Sequence, residues 1–323
     1  MHAIVTGGTG FIGSHLVEAL VAQNWDVHVV ASDAMFAAQL GVPVTICNID
    51  DERALAPLVR DTDVVLHLAG RTRAHTTAEY YTGNHLGTER LLRICRRHTR
   101  HLQRFVYVSS LLALGPRRNG EEVTERTPYH PVSHYGRSKM LAELAVRAMA
   151  HDLPVTIVRP TGVYGPRDRD LYRYFTMIGR GLEALPGTGS HEVNFVHVHD
   201  VVDGIMRAAL CAEAVGDDYL IGSDRNLPTH AICDAIARAM HRHPLVLRVP
   251  NALVYAVGAT GEFCGRLCGR AVFLNRQKVR ETVQEAWTCS IEKARRVLGF
   301  EPMVSLDEGI AQTLAWYRGN GWL

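Results

Sequence analysis

The stretch Thr6-Gly7-Gly8-Thr9-Gly10-Phe11-Ile12-Gly13 constrains this chain more than any other. It follows the apolar run His2-Ala3-Ile4-Val5 and passes without a break into Leu16, Val17, Leu20 and Val21, which recur at helical spacing. Strand, glycine turn and helix in that order make the opening unit of a dinucleotide-binding sheet. Gly7 is expected to turn the chain out of the strand, Gly10 to let backbone approach a pyrophosphate, and Gly13 to let the helix lie close on the sheet. The helix N-terminus, with Phe11 and Ile12 in its first turn, would then face the phosphates.

The same alternation continues. Strands are expected near 2–6, 26–31, 43–47, 63–68, 104–109 and 154–159, with helices between most of them, which predicts an α/β fold: a doubly wound parallel sheet of the Rossmann type. Beyond Pro160 the pattern weakens into apolar helices near 228–243, 250–264 and 305–318, punctuated by Leu185-Pro186-Gly187-Thr188-Gly189. This divides the chain into a dinucleotide-binding domain over residues 1–160 and a smaller substrate-binding region over 161–323. The boundary is interleaved, because Asn194 to Val202 reads as a strand running into a helix that returns to the sheet, adding 194–213 to the first unit.

The 323 residues, 47% of them hydrophobic and 21% charged, suffice for a sizeable core. A formal charge of +2, with arginines spread over many helices, offers no basic field for nucleic acid. The first strand begins at residue 2, which leaves no room for a signal peptide and places the protein in the cytoplasm as an expectation. Cys47, Cys95, Cys211, Cys233, Cys264, Cys268 and Cys289 lie scattered in apolar runs, as reduced buried thiols do. His197 and His199 flank Val198 but have no acidic or thiol cluster to complete a metal site, so no metal is expected. The apolar stretch from Ala252 to Leu274 contains Glu262, Arg266 and Arg270 and is not a membrane-spanning helix. Within it, Asn251 to Gly265, with Leu253, Val254, Tyr255, Val257 and Phe263, reads as a packing helix, the lining of a lipophilic pocket, or a segment lying on a membrane surface.

A second constellation is Tyr135-Gly136-Arg137-Ser138-Lys139, at the start of a periodic helix carrying Leu141, Leu144 and Ala145. Tyr and Lys at i and i+4 share one helix face. An ammonium held near a phenol lowers its pKa from about 10 toward working pH, the requirement for acid–base catalysis of alcohol and ketone interconversion. The pair follows the strand Arg104-Phe105-Val106-Tyr107-Val108-Ser109-Ser110, whose C-terminal end is where such a sheet presents side chains to its ligand.

With these residues together the chain resembles the extended short-chain dehydrogenases/reductases, the NAD-dependent epimerase/dehydratase family. The resemblance runs through Thr6 to Gly13, Leu66-His67-Leu68-Ala69-Gly70, Asn84-His85-Leu86-Gly87-Thr88, Ser109-Ser110, Tyr135 with Lys139, Arg159-Pro160, Tyr164-Gly165-Pro166 and Phe195 to Val202. It implies that Tyr135 is the acid–base, that Lys139 also binds the nicotinamide ribose, that Ser110 holds the reacting oxygen and that Asn84 supports the site. It further implies that Leu68 and Ala69 meet the cofactor, that Asn48 and Ile49 flank the adenine, and that Pro160, Val163 and Tyr164 lie near the nicotinamide. A homodimer through the helices around 76–98 and 134–150 is the family's arrangement.

Two departures bear on specificity. The acidic residue that usually ends the second strand in NAD-preferring members is replaced by Ala31, with Ser32 beside it where NADP-preferring relatives often carry Arg; either Asp33 reaches the ribose or Ser32 meets a 2′-phosphate, and the cofactor is NAD or NADP. In the second, Gly162 stands where nucleotide-sugar enzymes of the family place Asn against the sugar nucleotide's phosphates. The segment from Ser110 to Gly115 and the run Arg167 to Asp170 look more like the 3β-hydroxysteroid and sterol dehydrogenase branch. Leu111 and Leu112 replace the acidic pair of a sugar dehydratase. The substrate-facing residues are thus Leu111, Leu112, Gly162 and Tyr164. The expected activity is hydride transfer at a secondary alcohol or ketone of an apolar small molecule of sterol, polyketide or β-keto acyl type; the alternatives are a nucleotide-sugar epimerase with tightly bound NAD and a non-catalytic dinucleotide sensor.

Overall fold

The computed structural model describes residues 1–34, 37–187, 191–267 and 275–323, the side chains of 263–267 excepted. Its strands are β1 (His2–Thr6), β2 (Asp26–Ala31), β3 (Val44–Ile46), β4 (Val64–His67), β5 (Arg104–Val108), β6 (Val155–Pro160), β7 (Gly162–Tyr164), β8 (Leu182–Pro186), β9 (Glu192–His197), β10 (Asp218–Ile221), β11 (Asn226–Pro228), β12 (Leu245–Val249) and β13 (Ala286–Trp287). Seven of them form one sheet in the order β10-β6-β5-β4-β1-β2-β3, parallel throughout. The sheet is doubly wound because β1 lies inside it and the chain runs outward from there in both directions. The central strands are apolar on both faces: Val64, Val65 and Leu66 of β4 are each fully buried, as a sheet covered by helices on two sides requires.

Two hydrophobic clusters cover the two faces, one around Leu16, Val17, Val201 and Ile205, the other around Leu91, Leu92, Ala142 and Val146. A third, with Phe175, Ile236, Ile310 and Tyr317, belongs to the C-terminal part. There β9 pairs with β7, β11 and β13 in a small mixed sheet, and β12 pairs with β8. The strand anticipated at Asn194 therefore joins the second sheet. Only the Val198–Leu210 helix that follows it returns to the main core, and β10 then enters the main sheet beside β6.

The helix Asn251–Leu267 buries Val254 and Gly258 and leaves Leu253, Tyr255 and Val257 exposed. Phe263 and Cys264 lie outside the described side chains, and Cys268 outside the described residues. Among the described residues no helix is long and apolar enough to cross a membrane, and no cluster of three His, Cys, Asp or Glu is placed to hold a metal. The His197 and His199 rings meet edge to face, 4.8 Å apart, with the Tyr164 ring also against His197.

Candidate active site

β1 ends at Thr6 and the chain reverses on Gly7, whose φ of +73° is glycine territory. A side chain there would stand 2.7 Å from the Ala69 amide nitrogen, and one on Gly13 would collide with the Gly7 carbonyl oxygen. Bare backbone is what lets the loop, the end of β4 and the Phe11–Ala22 helix meet. No side chain caps that helix, and the place of a Gly10 Cβ has only the Gly7 oxygen, at 3.2 Å, within contact range. The amides of Phe11 and Ile12 thus open a donor cradle at a helix N-terminus, and the residues present fit a pyrophosphate.

The other residues assigned to the dinucleotide lie along the same edge of the sheet. Leu68 N donates to the Thr6 carbonyl at 3.0 Å and Ala69 N to Thr6 Oγ1 at 3.2 Å, which pins the end of β4 beside the loop. Ser32 is exposed just past β2, and Asn48 and Ile49 follow β3, Asn48 exposed and Ile49 half-buried. Pro160 is buried at the end of β6, in register with Ile221.

Ser133 starts the His134–Ala148 helix by accepting a hydrogen bond from Gly136 N at 3.1 Å. Tyr135 then opens on a cavity while Lys139 is buried against the sheet. Lys139 Nζ donates to the Val108 carbonyl at 2.7 Å and lies 4.6 Å from the centre of the Tyr107 ring. Burial pushes the Lys139 ammonium down to about 8, with Glu143 opposing. The anticipated lowering of the Tyr135 phenol is not what the structure shows. Burial, followed by the Glu281 carboxylate, raises it, and a hydrogen bond with Ser110 pulls the other way. The lysine is committed to a carbonyl of β5 rather than to the phenol.

Asn84 is 1% exposed and sits in a π-helical turn, Tyr81–Leu86. Its Oδ1 accepts from Arg71 N at 2.6 Å, and its Nδ2 donates to the Arg71 carbonyl and to Ser138 Oγ, the latter at 2.9 Å. It holds the loop after β4 against the helix that carries Tyr135 and Lys139. One turn beyond Lys139, Glu143 accepts hydrogen bonds from Ser109 and from Tyr129 at 2.7 Å and pairs with Arg159, which also pairs with Asp218. Burial opposes the charge of Arg159, but Glu143 and Asp218 more than offset it and hold the guanidinium far above its usual value.

The cavity holds about 330 Å³, the scale of a small-molecule site. Ser110, Leu112, Tyr135, Gly162 and Val163 line it; Leu111 and Tyr164 do not. Leu111 starts a single helical turn whose geometry points it into the main core, where it is 1% exposed. Tyr164 is 2% exposed and packs between Phe195 and His197 beneath Gly309 of the last helix. Space at Gly162 is tight: a Cβ there would stand 3.2 Å from the Asn194 carbonyl oxygen and 3.3 Å from the Phe195 ring.

The rest of the lining was not anticipated. Thr72 and Arg73 come from the loop after β4, Asp168 and Asp170 from the loop after β7, and Lys278 and Glu281 from the helix Arg276–Thr282. These segments are far apart in the chain, and only the run Arg167 to Asp170 had drawn notice from sequence. Among the described residues both cations on the lining are paired, Arg73 with Asp170 and Lys278 with Glu281, the latter at 3.3 Å. Burial pushes the Asp168 carboxyl up to about 7, against hydrogen bonding from Leu171 and the pull of Arg73 and Lys278.

A family model described as the NAD dependent epimerase/dehydratase family matches residues 3–222. The chain is 30% identical to the ceramide reductase of Caulobacter vibrioides over 324 residues, covering 99% of this chain and 95% of that one. It is 25% identical to the decarboxylating sterol-4-alpha-carboxylate 3-dehydrogenase of Homo sapiens, over 97% of this chain and 87% of the other. Among solved structures, a dTDP-glucose 4,6-dehydratase from Streptomyces venezuelae with NAD bound superimposes with a TM-score of 0.81 at 25% identity, covering 100% of this chain and 98% of that one.

Proposed function

The chain belongs to the NAD-dependent epimerase/dehydratase family, and from that premise we propose that it is an NAD(P)-dependent oxidoreductase acting on a secondary alcohol or ketone of an apolar substrate, with Tyr135 as acid–base. The carrying observation is the cavity beside Tyr135. Leu112, Val163, Leu171, Phe195 and Ile232 supply apolar walls, and among the described residues both cations on the lining are already matched by carboxylates. A sugar nucleotide's diphosphate needs cationic or amide donors to spare. Likeness to a ceramide reductase and to sterol dehydrogenases supports the same reading.

Bound on the Gly7–Gly13 loop, the nicotinamide cofactor supplies the hydride acceptor for an alcohol or the hydride donor for a ketone. The protein's own part is proton handling and positioning. Tyr135 takes the hydroxyl proton in oxidation and returns it to the carbonyl oxygen in reduction, and Ser110 hydrogen-bonds that oxygen. Lys139, held against the sheet by the Val108 carbonyl, would hold the ribose. Asn84 keeps the Tyr135 helix in place through Ser138.

A second reading, nucleotide-sugar epimerase, has support in the 27% identity to a Bacillus subtilis protein described as an uncharacterized UDP-glucose epimerase. Incubation with stoichiometric NAD or NADP and panels of long-chain ketones, sterols and sugar nucleotides separates the two. Net redox changes cofactor absorbance in step with product; epimerisation inverts a centre at constant absorbance. Inversion of a sugar nucleotide, with every apolar substrate inert, selects the second reading.

A further inference from the structure

The helix Arg276–Thr282 is locked to the start of the Tyr135 helix, because the Gln277 side-chain oxygen accepts a hydrogen bond from His134 N at 2.9 Å. Glu281 lies one turn after Gln277 and therefore on the same face, toward Tyr135. It is only 8% exposed, and its described side-chain partner is Lys278, at 3.3 Å and itself half-exposed. Its charge is felt by both phenols on this side of the cavity, raising Tyr135 and Tyr80 after burial has done so. The Tyr80 and Tyr135 rings meet edge to face with centroids 6.2 Å apart.

The lining is divided by element. The Arg276–Thr282 helix and its N-cap contribute only polar groups, Asn275, Gln277, Lys278 and Glu281, whereas β7, β9 and the helices Leu171–Gly179 and Thr229–Met240 contribute Val163, Phe195, Leu171 and Ile232. A wholly apolar ligand would press hydrocarbon against the largely buried Glu281 carboxylate, which has only the half-exposed Lys278 as its described side-chain partner. An anionic head would meet like charge. What satisfies the wall is a hydrogen-bond donor.

We infer that Glu281 is a specificity-determining residue that binds a donor group, a hydroxyl, amide N–H or ammonium, on a carbon next to the reacting carbonyl of an amphiphilic substrate whose apolar arm lies against Leu171, Phe195 and Ile232. The inference rests on the redox reading above. The same carboxylate excludes acids and phosphates from that position, so the substrate reaches the enzyme with its head unphosphorylated and without a free carboxylate beside the carbonyl.

The test uses the full-length protein with reduced cofactor and long-chain ketones of one length that carry, beside the carbonyl, a hydroxyl, a primary amine, an N-acyl amide, a methyl ether or hydrogen alone. The wild type should favour the three donors over the methyl ether by about 10- to 100-fold in kcat/KM, the size of a hydrogen bond to a charged acceptor, and mainly through KM. Glu281→Leu should erase that preference; Glu281→Gln, which keeps an acceptor but loses the charge, should lose the amine preference most. Cofactor binding and melting temperature verify that each variant is folded, and if the leucine variant does not fold the amine arm of Glu281→Gln decides. Equal turnover of ether and donor ketones by the wild type, or unchanged ratios in the variants, overturns the inference and leaves the redox reading standing. Inversion of sugar nucleotides with every ketone inert overturns both.

Discussion

Charge pairs stand on both sides of the Tyr135 helix, but those beneath it are sealed and those above it face the cavity. Below, Arg159 is held between Glu143 and Asp218, with the Arg159 and Glu143 side chains 1% and 0% exposed. Above, Lys278 and Arg73 are 42% and 35% exposed in their pairs with Glu281 and Asp170. A sealed pair has one arrangement and serves to fix a framework. An open pair can exchange its partner for a ligand group, so the same chemistry becomes recognition.

The sharpest way to break this contrast is to remove the sealed cation. Arg159→Met leaves the buried Glu143 without a counter-charge and Asp218 with Arg147 alone, and should destabilise the protein by about 3–5 kcal/mol in urea unfolding, or prevent folding. Lys278→Met, on the open side, should change stability by less than about 1 kcal/mol. Similar losses for the two variants would show that the distinction is empty.

Tyr135→Phe comes next in size. It removes one hydroxyl from the cavity wall and should lower kcat/KM by about 10²–10⁴ while leaving dinucleotide affinity and melting temperature nearly unchanged. A variant with most of its activity intact would take the acid–base role away from this residue.

Acid titration probes buried groups elsewhere in the fold at smaller scale. Burial holds His15 down to about 4 and His67 and His197 to about 3. In the unfolded chain they titrate near ~6.5, so below that pH the unfolded state binds protons that the folded state refuses. Their contribution to stability is complete above about 6.5 and shrinks as the pH falls toward the folded values. Asp168, pushed up to about 7, offsets one of the three. The melting temperature should drop by several degrees between about pH 6.5 and 4, and His197→Asn should flatten that slope. The smallest effect is expected at the exposed end of β2, where Ser32→Arg should raise the NADP-to-NAD affinity ratio by about tenfold, measured by fluorescence titration.

The main sheet was legible in the sequence because each of its demands is local. Gly7 and Gly13 answer to a turn and a close approach within one loop, and β4 is buried throughout, with Val64, Val65 and Leu66 apolar, because both its faces are covered. The Tyr135–Lys139 spacing was legible for the same reason, although the destination of the ammonium was not: Val108 lies on another element. The cavity was the least legible part. Its described walls come from seven separated stretches of chain, and Glu281 matters only because Gln277 binds His134, a contact 143 residues apart in the chain. Leu111 and Leu112 show how far adjacent residues diverge, since one helical step sends the first into the core and the second to the ligand. The segment Asn251 to Gly265 reads as a packing helix, a pocket lining or a membrane-surface segment; it packs through Val254 and Gly258, adds nothing to the cavity among the described residues, and leaves Leu253, Tyr255 and Val257 exposed.

The π-helical turn at Tyr81–Leu86 gives the chain an unusual sensitivity to length. Such a turn absorbs one surplus residue without disturbing the helix on either side. Taking a residue out would therefore restore a regular coil, and Leu91, Leu92 and Cys95 would stay seated on the sheet. Asn84 would lose its place opposite Ser138 and Arg71. A single-codon deletion here should yield a protein that melts normally and does not turn over, so the extra residue serves the placement of Asn84 rather than the seating of the helix.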